Sequence, residues 1–138
     1  MLSLKKISKQ ADILRNSANQ LVEPIDVEKI AQYKLATVLY KDLEDSVSGF
    51  LLIKEDKKTI VVNASHHENR QRFTIAHELG HLCLHAKDSK EELFLDKTRV
   101  YNRNISSSSG MNPQEIEANR FAAALLMPEG LLRNALEK

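Results

Sequence analysis

The segment 73–85, "FTIAHELGHLCLH", constrains this chain more than any other. A capping box formed by Ser65 and Glu68 predicts a helix that runs through "RQRFTIAHELGHLCLHA". His77 and His81 are then one turn apart, which is about 40° of rotation and about 6 Å of rise. Both rings project from one face and can converge on a single ion. Glu78 lies about 80° round from the midpoint of the pair. A carboxylate there can hold a water and take its proton, the general-base role in H-E-x-x-H metallopeptidases. The bland alternative is a half-buried helix whose histidines bond to neighbours. Gly80 weighs against it, because glycine in mid-helix costs about 1 kcal/mol relative to alanine. Flanking the histidine face opposite Glu78, it leaves room for another element to approach.

His85 is about 12 Å along the helix from His77, too far to share one ion with it and His81. The extended metzincin motif fails, since Leu84 replaces its glycine and Lys87 its histidine. A third ligand must come from elsewhere. His85 reads as a helix-end histidine near the dipole's negative end. His66 and His67 read as first-turn surface residues, and Arg72 as a salt-bridge partner. Cys83 shares an apolar stripe with Leu79 and Leu82, which suits a buried small residue.

The third ligand is sought in "EIEANRFAAALLMP". Asn112 predicts a cap, with Pro113 at the first helical position. Glu115 and Asn119 share one face of that helix, so Glu115 is the candidate ligand. Asn119 can hydrogen-bond the non-ligating nitrogen of a ligand histidine. Glu115 has a competing role as the carboxylate of a capping box with Asn112. Two histidines and one glutamate, leaving one position open, form a known catalytic zinc arrangement. Glu117 points away from Glu115 and is expected to pair with Arg120 on the outer surface. Ala118, Ala122 and Ala123 should allow close packing against the histidine helix.

The remaining chain predicts an amphipathic helix near residues 4–22, with Leu4, Ile7, Ala11 and Leu14 on one stripe. A second short helix, capped by Asp26, runs through Ile30 and Ala31. "ATVLY" and "SGFLLI" read as strands, and 49–53 with 59–63 as a hairpin around the polar turn "KEDKK". Residues 87–112 look irregular, with a helical turn at "EELFL" and a flexible "SSSSG" loop at 106–110. The segregated order predicts an α+β fold in which a small mixed or antiparallel sheet of about three strands packs against the two motif helices. One domain over 1–138 is expected: N-terminal helices in 1–31, a core over 36–128 and a short last helix over 129–138.

With 20 basic and 19 acidic residues, the net charge of +1 gives no broad attraction to nucleic acid. The single cysteine excludes an internal disulfide and suits a reducing compartment. No apolar run is long enough for a signal peptide or a membrane span. The expected setting is cytoplasmic, with no direct nucleic-acid or membrane partner.

"RFTIAHELGHLCLH" followed by "EIEANRFAAALLMP", with "PIDVEKIA", "SGFLLI" and "TIVVNA" upstream, closely resembles the ImmA/IrrE family of metallo-endopeptidases. The resemblance runs roughly from Ala11 to Leu132. It implies a gluzincin-like, zincin-type minimal peptidase domain, with His77, His81 and Glu115 as metal ligands and Glu78 as catalytic base. Asn119 stands where related zincins often have aspartate, so it keeps the hydrogen bond and loses the charge. Family members typically cleave helix-turn-helix (XRE-type) repressors of phage, mobile elements or stress regulons, and such a repressor encoded nearby is the expected protein substrate. Zinc is the expected ion, with manganese or iron as alternatives.

The expected reaction is hydrolysis of a peptide bond, with substrate laid along "GFLLI" or "TIVVN" by β-augmentation. Tyr101, Arg99 and His85 are candidate oxyanion donors by residue type, and 87–112 is a candidate gating loop. The competing reading is a zincin-like regulatory module that binds a repressor or toxin–antitoxin partner without cleaving it; the intact Glu78 argues against that.

Overall fold

A computed structural model describes residues 1–86, 91–97 and 112–127. Four helices and four strands follow in the order α1 (Leu4–Ser17), α2 (Val27–Tyr33), β1 (Ala36–Lys41), β2 (Val47–Lys54), β3 (Lys57–Asn63), α3 (Glu68–Leu84), β4 (Glu91–Lys97) and α4 (Pro113–Leu126). The fold is α+β, with one mixed sheet in the order β1-β3-β2-β4. β1 runs parallel to β3, and the other two pairings are antiparallel.

The hairpin forms as the sequence predicts. Lys54 faces Lys57 across Glu55 and Asp56, both at positive φ (53° and 69°). Two consecutive left-handed residues make the tight turn that suits the twist of paired strands. The fourth strand corrects the reading of "EELFL" as a helical turn. A short apolar run has no periodicity to separate helix from strand, and pairing along β2, from Lys54↔Glu91 to Phe50↔Leu95, decides for strand. That pairing also corrects the proposed substrate strands. "GFLLI" lies between β3 and β4, and "TIVVN" between β1 and β2, so both have two neighbours. The free edges of the described sheet belong to β1 and β4.

The inner face of the sheet presents Leu51, Ile53, Ile60 and Val62 to α3, which answers with Ile75, Ala76 and Leu79; all are at most 1% exposed. On the other side of α3 lies α4, with Phe121, Ala122 and Leu125 fully buried. α1 closes over α4 through Ile7, Ala11 and Leu14. Leu4, placed on the same stripe from sequence, is instead 56% exposed. Arg15 ties the two helices polarly: it donates to the Ala124 carbonyl at 3.2 Å and pairs with Asp12. α3 therefore runs through the middle of the molecule, and its central turns are shielded from water on nearly every side.

One buried side chain holds the loop before β2. The Asn63 amide donates to the carbonyls of Leu43, Glu44 and Val47 at 3.3, 3.1 and 2.9 Å, while its oxygen accepts from the Ser65 amide and hydroxyl at 2.9 and 2.7 Å. Asn63→Asp would turn three donor contacts into acceptor facing acceptor. The expected cost is about 2–3 kcal/mol, read as a lower urea midpoint at unchanged slope.

Four sequence readings fall wholly or largely outside the described residues: the "SSSSG" loop, the last helix over 129–138, Arg99 and Tyr101, and the candidate gating loop 87–112, of which 91–97 and 112 are described. Among the described residues no helix is long and apolar enough to cross a membrane.

Candidate metal centre

α3 begins at Glu68, and its cap is His67, whose Nδ1 accepts from the Asn69 amide at 3.0 Å. This corrects the Ser65–Glu68 capping box, because Ser65 is already engaged by Asn63. The shift leaves the later turns in place. His77 and His81 are each 1% exposed, with ring centroids 4.8 Å apart. Glu78, between them in sequence, is fully buried.

α4 begins where Asn112 and Pro113 place it. The Asn112 side chain accepts from the Glu115 amide at 2.8 Å. The Glu115 carboxylate reaches across to α3 instead of closing a capping box. Its Oε1 lies 3.2 Å from His77 Nε2 and its Oε2 lies 3.0 Å from His81 Nε2. The competition between cap and ligand positions is thus resolved by division: the backbone N–H of Glu115 is capped, and its carboxylate faces the histidines.

The donor set fits a divalent ion. One atom from each of His77, His81 and Glu115 lies within 4.8 Å of the others. A tetrahedral ion with bonds of about 2.0–2.1 Å would separate its ligand atoms by about 3.3–3.4 Å; the Glu115 contacts, one from each carboxylate oxygen, are near that value, and the spread of up to 4.8 Å in the set would close on binding. The Glu115 side chain is 23% exposed, against 1% for either histidine. Burial pushes the His81 imidazole below its usual pKa, with the neighbouring Glu115 pulling the other way. A neutral imidazole is the form that binds metal. For Glu115, burial raises the pKa, but hydrogen bonds from His77 and His81 outweigh it and bring the carboxyl from 4.5 down to about 2.

Each histidine uses its other nitrogen outward. His77 Nδ1 is 2.8 Å from Asn119 Oδ1. His81 Nδ1 is 2.9 Å from Nδ1 of His85. His85 Nε2 is in turn 2.8 Å from Glu117 Oε1, and the Leu2 amide donates to Glu117 Oε2 at 2.5 Å. Two sequence expectations are corrected here. His85 does end α3, but its ring stands between His81 and Glu117 rather than simply capping the helix dipole. Glu117 is 6% exposed and faces His85 and Leu2, whereas Arg120 is exposed. The i,i+3 rule for surface pairs does not apply once a longer-range partner buries the carboxylate. Burial raises the Glu117 carboxyl, while His85 and the Leu2 amide hold it below its ordinary range.

Gly80 makes the helix contact possible. A Cβ there would sit 3.1 Å from Phe121 Cβ and 3.2 Å from both Cα and O of Ala118. Ala118 and Ala122 are fully buried in this contact, but Ala123 is exposed and takes no part in it. Gly80→Val is expected to destabilise by about 1–3 kcal/mol, since added methyls must push α4 away. Any metal affinity of the cluster should fall with it, because Glu115 rides on α4; denaturation and a metal titration on the same sample check both.

Phe94 of β4 is a further neighbour that the sequence reading missed. Its ring stacks on His81 at 4.3 Å between centroids and 17° between planes. Its only sequence signal was its place in the "LFL" run. Arg72, expected in a salt bridge, donates to the Ile25 carbonyl at 2.8 Å. Cys83 is half-buried against the core.

A family model described as the IrrE N-terminal-like domain (Peptidase_M78) matches residues 31–138. Metallopeptidase ImmA of Bacillus subtilis is 30% identical over 129 residues, covering 92% of this chain and 65% of that protein. Uncharacterized immunity region protein 2 of Bacillus phage phi105 is 28% identical over 101 residues, 73% of this chain and 58% of that protein. Radiation response metalloprotease IrrE of Deinococcus radiodurans is 35% identical over 85 residues, 60% of this chain and 23% of that protein. In each case the aligned part spans less than two thirds of the relative's length.

Proposed function

We propose, from the premise that the chain belongs to the ImmA/IrrE family of metallopeptidases, that it is a zinc-dependent endopeptidase acting on a helix-turn-helix repressor in the cytoplasm. The observation that carries the reading is the Glu115 carboxylate, which lies across from α4 against both His77 and His81. The immunity-region name of the phage relative is in keeping with a repressor as substrate.

His77, His81 and Glu115 would hold the ion. When bound, such an ion supplies Lewis acidity, which brings the pKa of a water toward about 7 and polarises a carbonyl. Glu78 takes the proton from the attacking water and returns it to the leaving amine. Its burial within α3 keeps the carboxylate out of bulk solvent. Asn119 accepts from Nδ1 of His77 and thereby directs that ring's Nε2 toward the site. Substrate binds extended along β4, an edge strand of the described sheet, whose Phe94 covers one face of His81.

The test is to incubate the purified chain and zinc with the repressor encoded beside its gene. Discrete fragments that vanish on adding a chelator are the expected result. A stable complex without fragments would favour the regulatory module over the peptidase.

A further inference from the structure

We propose that His85 and Glu117 form a positioning relay that fixes the orientation of the His81 ring and ties it to the backbone at Leu2. The proposal rests on the metal-site reading above.

The hydrogen-bond roles propagate in one direction. A carboxylate only accepts, so Glu117 Oε1 requires a proton on His85 Nε2. Nδ1 of His85 lies 2.9 Å from Nδ1 of His81, and with the former as acceptor the His81 ring donates from Nδ1–H. When an ion is held, that leaves the lone pair of His81 on Nε2, the atom beside Glu115, for the ion. Asn119 sets the same tautomer in His77 through its amide oxygen. The two ligand histidines are thus oriented alike by different means, one by a neutral amide and the other by an imidazole backed with a carboxylate.

Burial makes the relay rigid. The side chains of His85 and Glu117 are 5% and 7% exposed, so each depends on its partner for hydrogen bonding. The Leu2 amide takes the second Glu117 oxygen and prevents the carboxylate from swinging away. Phe94 lies beside both rings, stacked on His81 and 6.3 Å from His85 between centroids. Helix spacing explains why one pair of elements carries both functions. His85 follows His81 by one turn of α3, and Glu117 follows Glu115 by two residues of α4. A slip of α4 against α3 would break the ligand contact and the relay together.

Zinc affinity is measured on the whole chain by competition with a chelator, alongside thermal melts without metal. The variants are Glu115→Ala, His85→Ala, Glu117→Ala, the double His85→Ala/Glu117→Ala, and His85→Gln. His85→Ala and Glu117→Ala are each expected to weaken zinc binding by about 10–100-fold. The double variant should bind no more weakly than the worse single, because the two residues act through one chain. His85→Gln carries a donor and an acceptor on one amide and should recover most of the loss, which a purely packing role would not predict. Parent affinity in both alanine variants, with zinc lost in Glu115→Ala, would overturn the relay and leave the metal site standing. Additive losses in the double variant would also overturn it. Should Glu117→Ala not fold, equal affinity of His85→Gln and His85→Ala decides against the relay. Parent affinity in Glu115→Ala would overturn both the relay and the site beneath it.

Discussion

On the proposed function, Glu78→Gln is expected to leave the chain folded and able to bind zinc but to lower peptide hydrolysis by about 10²–10⁴-fold. The substitution is nearly isosteric, which matters because Glu78 is fully buried in the central turns of α3. An amide cannot accept the proton of the attacking water at neutral pH, so the loss falls on kcat, with KM close to the parent value. Single-turnover cleavage of the proposed repressor substrate, with zinc content measured on the same sample, separates the two properties. Parent kcat in a zinc-loaded Glu78→Gln protein would remove Glu78 as the base. A protein that loses its zinc would mean that Glu78 supports the site rather than the proton transfer.

Glu115→Ala is expected to weaken zinc by more than about 100-fold, since loss of the proposed direct ligand should exceed the cost of losing an outer partner. The structure makes this a clean substitution. Asn112 caps α4 through the Glu115 backbone amide, which alanine retains. The helix start should therefore survive while the carboxylate that faces His77 and His81 is lost. Metal that binds only the folded chain raises its stability by mass action. The parent should melt at a markedly higher temperature with zinc than with chelator, and the variant at nearly the same temperature in both. Asn112→Ala provides the contrast: about 1 kcal/mol of stability lost at the cap, with zinc-dependent stabilisation retained.

The parts of the molecule legible in sequence are those written in local spacing. Asn112-Pro113 marks the start of α4, and the turn residues between Lys54 and Lys57 mark the hairpin. His77, His81 and Glu115 stand out because their chemistry narrows the possible roles, and the structure brings the three together. What local reading missed depends on partners distant in the chain. β4 is a strand through its pairing with β2, and its own apolar run gave no period to read. Ser65 suits a helix cap by type, but Asn63 engages it first and His67 takes the role. Glu117 has a tempting neighbour in Arg120, yet its partners are His85, 32 residues earlier, and Leu2, 115 residues earlier. No helical-wheel rule carries information across such separations.

The most direct test of the central claim is a crystal structure of the zinc-loaded chain with diffraction data recorded on both sides of the zinc absorption edge. One anomalous peak is predicted about 2.0–2.2 Å from His77 Nε2, His81 Nε2 and a Glu115 carboxylate oxygen. A peak at any other place, or none among these three side chains in crystals grown with excess zinc, would contradict the account.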